Sequence, residues 1–401
     1  MQKITFTSLP TELHFQILSY LDVDPPSYSR FTNRPTPHML ESESERPLKN
    51  ASEVNKKWRS VALPLLFRHT IWRLQPYRLI QLSDCTNPRD IRLIKFLIDH
   101  NICDRIDSMV LLVEPPLDDD DEVDIQPPPE ALLANCEILW DTLFSVIDPL
   151  RFTIISRPAR FGLLLAIPLD FREYWSYGSH EHILSFSRDS RFVTPPPQLP
   201  ASDSVLSIRS KLFTIRPWTA TLLNEGCNLG VYRTYDHHRK HPPSILSALL
   251  SGPHTAGLHT FLADRPLLAP SVQDFSYIAE FPIADHFLKL VQHLPLLRRL
   301  YVQLVPKPHI LKDDYEMRNI DPRDLWMERN ASYAALMTSL FTWTPSTNWR
   351  SLRVFESGDT ADKQAWDMAA HFVLHAQTKK WAIEREGVFV WEEPDGKKAQ
   401  K

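Results

Sequence analysis

Glycine is scarce in this chain: only 9 of its 401 residues are glycine, against roughly 7% in an average protein. Loops that hold phosphate groups against backbone amides need closely spaced glycines, and the sequence contains no such loop. It also lacks the Gly-x-Ser-x-Gly turn of serine hydrolases and the His-Glu-x-x-His helix of zinc proteases. These absences argue against nucleotide-dependent enzymes and against both hydrolase classes.

Cysteine is equally sparse, and the four cysteines lie far apart at Cys85, Cys103, Cys136 and Cys227. No Cys-x-x-Cys pair occurs, which argues against a disulfide framework, a zinc ribbon and a RING-type zinc module. No basic side chain adjoins any of the four thiols in a way that would activate it, so a thioester-forming cysteine is not expected. We predict reduced thiols, most of them buried.

Long apolar runs and an excess of positive charge are also missing. The longest apolar stretch, residues 161–169, is interrupted by Pro168 and is far shorter than the roughly 20 residues that span a bilayer. Forty-five Lys and Arg against 49 Asp and Glu leave a net charge of −4, without a basic surplus for nucleic acid or anionic lipid. We therefore expect a soluble cytoplasmic or nuclear protein that binds neither nucleic acid nor a membrane.

The best candidate for a metal site is His371 with His375, which lie one helical turn apart in a predicted helix. No acidic third ligand is placed beside them by the sequence, and solvated or core histidines explain the pair more simply. We expect no metal and no cofactor.

Apolar residues are plentiful, at 43% of the chain with 10% aromatic, and 34 prolines stiffen its turns. This composition supports two or three structural units with large cores. Two segments have a composition unsuited to packing: residues 22–47, rich in proline, serine and charge, and residues 114–130, which carry a run of acidic residues between proline clusters. Both are predicted to be solvated loops.

The N-terminal residues 9–21 predict a short amphipathic helix. Pro10 stands at the helix start, Glu12 lies in the first turn, and Leu13, Ile17 and Leu21 recur on one face. A second helical stripe follows residues 22–47 and consists of Ala51, Val54, Trp58, Val61 and Leu65. Helices of this size need a further apolar surface, supplied by the rest of the chain or by a partner.

These residues resemble an F-box, the three-helix module that docks onto the Skp-family adaptor of cullin-RING ubiquitin ligases. The resemblance covers about residues 8–72 and departs from the usual pattern in the long insertion at residues 22–47. It rests on Leu9-Pro10-Thr11-Glu12-Leu13, Ile17-Leu18-Ser19-Tyr20-Leu21, and the series from Leu48 through Val54 to Trp58-Arg59. The adaptor-binding residues that it implies are Leu9, Pro10, Leu13, Ile17, Leu18, Leu21, Leu48, Val54 and Trp58.

Residues 73–401 alternate helix-like and strand-like stretches, which favours a stacked α/β solenoid. The predicted helices include residues 284–293, and the predicted strands include residues 108–113, 151–156 and 230–235. Four segments look like the strand core of a leucine-rich repeat, with key positions Phe275, Leu300 and Leu352 spaced by about one and two repeats. They are Ile106-x-x-Met109-x-Leu111, Val272-x-x-Phe275-x-Tyr277, Leu297-x-x-Leu300-x-Val302 and Trp349-x-x-Leu352-x-Val354. Alternating apolar residues around Gly387 predict a final hairpin that covers the last sheet edge.

The predicted fold class is therefore α+β or α/β, with an F-box at residues 1–72 followed by an irregular leucine-rich-repeat-like solenoid at residues 73–401. The resemblance implies a non-catalytic substrate-recognition subunit of a Skp-cullin-F-box ubiquitin ligase, with an unidentified protein as its target. Catalysis would then act through proximity to a separately recruited enzyme. The alternative is a protein-interaction scaffold outside a ligase, in which these helices bind the adaptor or serve internal packing only.

Overall fold

The computed structural model shows a mixed α/β protein built on one ten-stranded sheet. It describes residues 9–22, 24–36, 38–40, 47–75, 87–113, 130–165, 181–191, 210–226, 229–233, 244–246, 271–279, 297–304, 312–341, 351–360, 363–375 and 381–392. The acidic segment 114–129 and the predicted helix at residues 284–293 lie outside these ranges, as do Cys85 and Cys227. The prediction of a mixed helix and strand fold is confirmed.

The strands follow one another across the sheet in nearly the order of the sequence, β1 to β8, then β10 and β9. Neighbouring pairs are parallel except around β4, which is antiparallel to β3 and β5, and around β10, which is antiparallel to β8 and β9. The strands are β1 (His69–Leu74), β2 (Ser108–Val113), β3 (Arg151–Ser156), β4 (His182–Ser187), β5 (Ala220–Asn224), β6 (Asp274–Ile278), β7 (Arg299–Gln303), β8 (Val354–Ser357), β9 (Trp381–Arg385) and β10 (Val388–Trp391).

Helices of the described residues fall into an N-terminal group and a group that follows β1. The first group is α1 (Thr11–Ser19), α2 (Pro26–Ser29), α3 (Pro47–Val54) and α4 (Lys56–Leu66). The second is α5 (Arg92–Asp99), α6 (Glu130–Phe144), α7 (Pro158–Leu164), α8 (Pro322–Phe341) and α9 (Lys363–His375). Among the described residues, no helix has the length and apolar character needed to cross a bilayer.

One face of the sheet carries the main core. Alternate strand residues such as Met109, Phe152, Phe275 and Leu300 point to this face and pack with helices α5 to α9. Because paired strands keep the same alternation, their apolar rows lie side by side: Met109 pairs with Phe152, and Phe275 with Leu300. This core is the principal source of stability of the sheet.

The repeated strand pattern keeps one register in three of its four predicted copies. Residues 106–111, 272–277 and 297–302 all place their second apolar position on the core face. The fourth copy is shifted by three residues, because Leu300 pairs with Phe355 rather than with Leu352. The copy in register is therefore Leu352-x-x-Phe355, whose two apolar side chains are both buried.

Several predicted strands are confirmed and others are corrected. The strands predicted at residues 108–113 and 151–156 have the predicted bounds, and the final hairpin forms as predicted, with Gly387 in its turn at φ +87° and β10 paired to β8. The strand predicted at residues 230–235 is wrong, since the 3-10 helix Leu229–Arg233 lies there. Strand β1 begins at His69, so the sheet includes residues that were assigned to the N-terminal unit.

The prediction of a solvated loop at residues 22–47 is also wrong for the part that the structure describes. Phe31, Met39 and Leu40 are only 3%, 7% and 4% exposed. They pack against the sheet face opposite α5 to α9, on an apolar row formed by Val110, Leu112, Ile155 and Ile183 with the partly buried Leu222. A few apolar side chains anchor this otherwise polar segment, because the sheet offers them an apolar surface that composition alone does not reveal.

Candidate adaptor-docking surface

The N-terminal helices enclose a small core of their own. Leu18 from α1, Leu48 and Ala51 from α3, and Val61, Ala62 and Leu65 from α4 form this core, with Trp58 partly buried against it. The helices were expected to need another surface to close a core. They close one of six small and medium side chains, and it is distinct from the main core of the sheet.

Local sequence explains how these helices meet. The predicted second stripe is divided into α3 and α4 at Asn55, whose side chain accepts a hydrogen bond from the backbone N–H of Trp58 at 2.9 Å. An asparagine at this position satisfies an amide that the first turn of α4 leaves without a helical partner. Lys57 then donates to the carbonyl of Leu9 at 3.1 Å, which ties α4 to the start of α1.

Helix α1 presents an apolar surface to solvent, which we call the α1 face. It consists of Leu13, Ile17, Tyr20 and Leu21, which are 43%, 41%, 82% and 37% exposed. These positions follow the i, i+4, i+7, i+8 spacing of one helix face. The neighbouring stripe of α1, about 100° around the helix axis from this face, buries His14 and Leu18. Large apolar side chains grouped in this way on a short helix are typical of a surface that a partner covers.

The implied adaptor-binding residues divide into exposed and buried ones. Leu13, Ile17 and Leu21 lie on the α1 face, Val54 is 61% exposed at the end of α3, and Pro10 is exposed at the N-cap of α1. Leu9 and Trp58 are half-buried.

Leu18 and Leu48 differ from the expectation, since they are 2% and 8% exposed inside the small core. Their side chains pack against the neighbouring helices in this core. A helix that also binds a partner needs one stripe for the core and a second stripe for the partner.

Two exposed residues in or directly after α1 were not predicted. Tyr20, the C-cap residue of α1, extends the α1 face by one turn, whereas Phe15, 44% exposed, lies on the side of the helix away from that face. The signal for Tyr20 was its distance of seven residues from Leu13, which places both on the same side of a helix. Phe15 carried no such signal, because it belongs to neither stripe.

An ionic network fixes the α1 end of this surface to the edge of the sheet. Arg68, which directly precedes β1, donates from Nε to Asp107 at 2.6 Å and contacts the carboxylate of Asp22 at 3.3 Å. Arg191 donates to the other oxygen of Asp107 at 2.8 Å and to the carbonyl of Ile106 at 2.7 Å. Both hydrogen bonding and the neighbouring carboxylates raise the pKa of Arg68, so its charge is retained at every physiological pH.

A polar cleft of about 600 Å³ lies between α1, α4 and this edge of the sheet. Phe15 and Pro64 form its apolar side, and Asp22, Arg68 and Asp107 form its charged side. The charged groups are already paired with one another. The cleft is therefore a seam between the helices and the sheet. Its α1 residues, Thr11, Phe15 and Ser19, lie on the side of the helix away from the α1 face.

The groups that metal binding would require do not gather in the described residues. No cluster of three or more metal-ligating side chains occurs among them, and His371 stacks on His375 at an exposed position of α9, with ring centroids 4.1 Å apart. Burial raises the pKa of the Cys136 thiol to about 12, while Cys103 is half-buried and also has a raised pKa. Neither thiol is activated as a nucleophile.

Comparisons with known proteins add no assignment: no family model, no curated protein and no solved structure matches the chain.

Proposed function

We propose that this protein is a substrate-recognition subunit of a Skp-cullin-F-box ubiquitin ligase. The α1 face and Val54 bind the Skp-family adaptor, and the sheet with its helices holds the target protein. The observation that carries this proposal is the α1 face itself: four large apolar side chains exposed on one side of a short helix that has its own small core behind it. The sequence resemblance to an F-box covers the same residues.

The size of the α1 face limits the binding free energy that it can contribute to an adaptor complex. Full burial of a large apolar side chain contributes about 1.5–3 kcal/mol, so four side chains that are on average about half exposed contribute about 3–6 kcal/mol. Association of two proteins costs at least about 4 kcal/mol in lost freedom. The α1 face alone therefore gives a weak complex, and contacts to Val54 and to polar groups at the rim must add to it.

The sheet domain supports the second half of the proposal. Its strands lie in sequence order, its helices α5 to α9 pack on one face, and three copies of the apolar strand pattern share one register. A leucine-rich-repeat-like solenoid has these properties. Solenoids expose extended surfaces that suit protein targets, and no catalytic group is needed for a receptor that acts through proximity.

Co-purification of the full chain with a Skp-family adaptor tests the docking assignment. We expect the double variant Leu13→Asp with Ile17→Asp to weaken adaptor binding at least about 100-fold, because two carboxylates would be buried in an apolar contact. The matched control is Met327→Asp with Leu374→Asp, which places the same charges at apolar positions on α8 and α9 that are 63% and 46% exposed. Equal binding by wild type and both double variants would contradict the proposal.

The alternative is an interaction scaffold outside a ligase. Such a scaffold would also bind the adaptor, but it would not join a complex with cullin and the RING subunit. It predicts that the adaptor complex forms and that cullin and the RING subunit are not retained with it. Reconstitution with purified adaptor, cullin and RING subunit, followed by size-exclusion chromatography, separates the two functions. A complex of all components supports the ligase subunit, and a complex that stops at the adaptor supports the scaffold.

A further inference from the structure

The inserted segment between α1 and α3 crosses the sheet. We call its described part, residues 24–36 and 38–40, the strap. Both of its ends return to the small helical core, since Leu18 at the end of α1 and Leu48 at the start of α3 are buried there together. Its middle lies on the sheet face opposite α5 to α9. The strap therefore connects these two surfaces at a second place, apart from the network around Arg68.

The apolar side chains of the strap are buried as deeply as those of a protein core. Phe31, Met39 and Leu40 are all at least nine-tenths buried, and their partners come from four consecutive strands, β2 to β5. Near its start, the ring of Tyr28 packs edge-on against His69 with centroids 5.4 Å apart, and the guanidinium of Arg151 lies 4.4 Å from the centroid of the Tyr28 ring. The strap thus contacts every strand from β1 to β5.

Polar contacts fix the path of the strap backbone. The side-chain amide of Asn224, at the end of β5 and fully buried, donates to the carbonyls of Phe31 and Asn33, both at 2.8 Å. Arg34 forms an ion pair with Glu316 at 2.7 Å, beyond the edge of the covered strands. A buried amide with both donors satisfied by strap carbonyls is costly to separate, since each hydrogen bond and its desolvation would be lost.

We propose that the strap holds the N-terminal helices in one fixed orientation on the sheet, with Asn224 and Phe31 as its positioning residues. The orientation of the α1 face relative to the sheet then follows from the strap and from the Asp22–Arg68–Asp107 network acting at two separate places. The consequence for a ligase rests on the proposed function: a bound adaptor and a bound target would keep a constant separation, which proximity catalysis requires.

The strap also divides the sheet face that it crosses. The part on β2 to β5 is covered and apolar, whereas the part on β6 to β8 carries Asp274, Ser276, Arg299, Tyr301 and Glu356, all of them half-buried. A target that approaches this face meets the strap on one half and paired charges on the other, with Arg299 bound to Glu356 at 2.5 Å.

The test uses the full chain without adaptor and measures the distance between spin labels. Labels attached through non-canonical amino acids replace exposed Lys49 on α3 and Met327 on α8, so that the native cysteines remain. We expect a narrow distance distribution in the otherwise wild-type chain. In Asn224→Asp, whose carboxylate would face the carbonyls of Phe31 and Asn33, we expect the distribution to widen at least about twofold. Asn101→Asp, at an exposed turn, is the matched control.

Trypsin cleavage after Arg30 reports whether the strap has left the sheet, whereas the bond between Arg34 and Pro35 resists trypsin. We expect the cleavage rate in Asn224→Asp to rise about tenfold or more, because loss of two hydrogen bonds raises the population of the open strap. Leu40→Asp, which places a carboxylate in the same apolar contact but away from the cleaved bond, should behave alike, and Leu40→Met should keep the protection of the wild-type chain. A chain whose strap is cleaved readily while the label distances stay narrow would overturn the proposal, and so would unchanged protection in both aspartate variants.

A third variant covers the case in which the buried substitutions prevent folding. Arg34→Ala removes the ion pair at the edge of the strap without changing the apolar contacts, and we expect a two- to threefold rise in cleavage with a modestly wider distance distribution. Adaptor affinity, measured separately on the same variants, should change less than twofold, because the α1 face is untouched. An adaptor that fails to bind even the wild-type chain would contradict the proposed function and leave the strap result intact.

Discussion

A buried carboxylate beside β5 provides a direct test of how the loops at this end of the sheet are held. Glu225 is 1% exposed. Its Oε1 accepts from Ser244 Oγ at 2.9 Å and from the Leu246 amide at 3.1 Å, and its Oε2 accepts from Tyr277 Oη at 2.6 Å. One side chain thus joins β5, β6 and residues 244–246.

Glu225→Gln should destabilise the protein by about 2.5–6 kcal/mol. The glutamine amide keeps one acceptor oxygen but turns an NH2 group toward donors, so at least one hydrogen bond to a charged group, worth about 1.5–3 kcal/mol, is lost. A buried donor left without its acceptor costs about 1–3 kcal/mol more. Urea unfolding followed by tryptophan fluorescence measures the change, with Glu384→Gln at an exposed position of β9 as a control that stays within about 0.5 kcal/mol.

A double-mutant cycle with Tyr277→Phe separates the hydrogen bond between Glu225 and Tyr277 from the other hydrogen bonds of Glu225. We expect Tyr277→Phe alone to cost about 1.5–3 kcal/mol, and its cost to shrink by a similar amount in the Glu225→Gln background. Additive costs, with a coupling energy below about 0.5 kcal/mol, would refute the view that this carboxylate and this hydroxyl act together. So would a Glu225→Gln variant as stable as the wild type.

Three further predictions follow from single residues. Burial, and then Glu137, raise the pKa of Cys136 to about 12, so iodoacetamide at pH 8 should modify Cys136 only after unfolding, as mass spectrometry can show against half-buried Cys103. Burial, and then Arg68, lower the pKa of His69, so the unfolded chain binds the proton more readily; unfolding free energy should fall as pH drops below about 6.5 and fall less in His69→Gln. At Gly387, with φ +87°, an added Cβ would lie 2.8 Å from Thr360 Cγ2 and 2.9 Å from the Ser357 carbonyl. Gly387→Ala should therefore cost about 2 kcal/mol or more in urea unfolding, and Glu386→Ala in the same turn less than about 0.5 kcal/mol.

Strands with continuous apolar character could be predicted from the sequence, and strands with polar interruptions could not. Residues 108–113 and 151–156 are rich in β-branched and large apolar residues, and both faces of these strands are buried, so their bounds were predicted without error. Strand β5 escaped prediction because Thr221 and Asn224 interrupt it. Both polar side chains are buried in the folded protein, and Asn224 is satisfied by the strap, a contact between residues almost 200 positions apart.

The register of the repeats was predictable only where spacing between repeats is short. Phe275 and Leu300 pair directly, as the 25-residue spacing suggested. Between β7 and β8 the chain also forms α8, and several apolar residues near residue 352 fit the same pattern. Hydrogen-bond pairing selected Phe355, because its side chain stacks with Phe389 in the core, whereas Leu352 lies before the strand.

The residues proposed for adaptor docking show the same limit at the scale of one helix. Periodicity identified α1 and its apolar residues, yet it gives the spacing of a stripe and not the number of stripes. Leu13 and Ile17 face outward and Leu18 faces inward. Only the position of α3 and α4, which is set by the capped break at Asn55, decides which stripe is covered by the chain itself.

The strap explains why composition failed for residues 22–47 and why its contacts matter for the whole molecule. Average composition describes this segment correctly as polar and proline-rich. The segment is nevertheless held on the sheet by three buried side chains, Phe31, Met39 and Leu40. The prolines that suggested a free loop also restrict the unfolded chain, which lowers the entropic cost of ordering the strap.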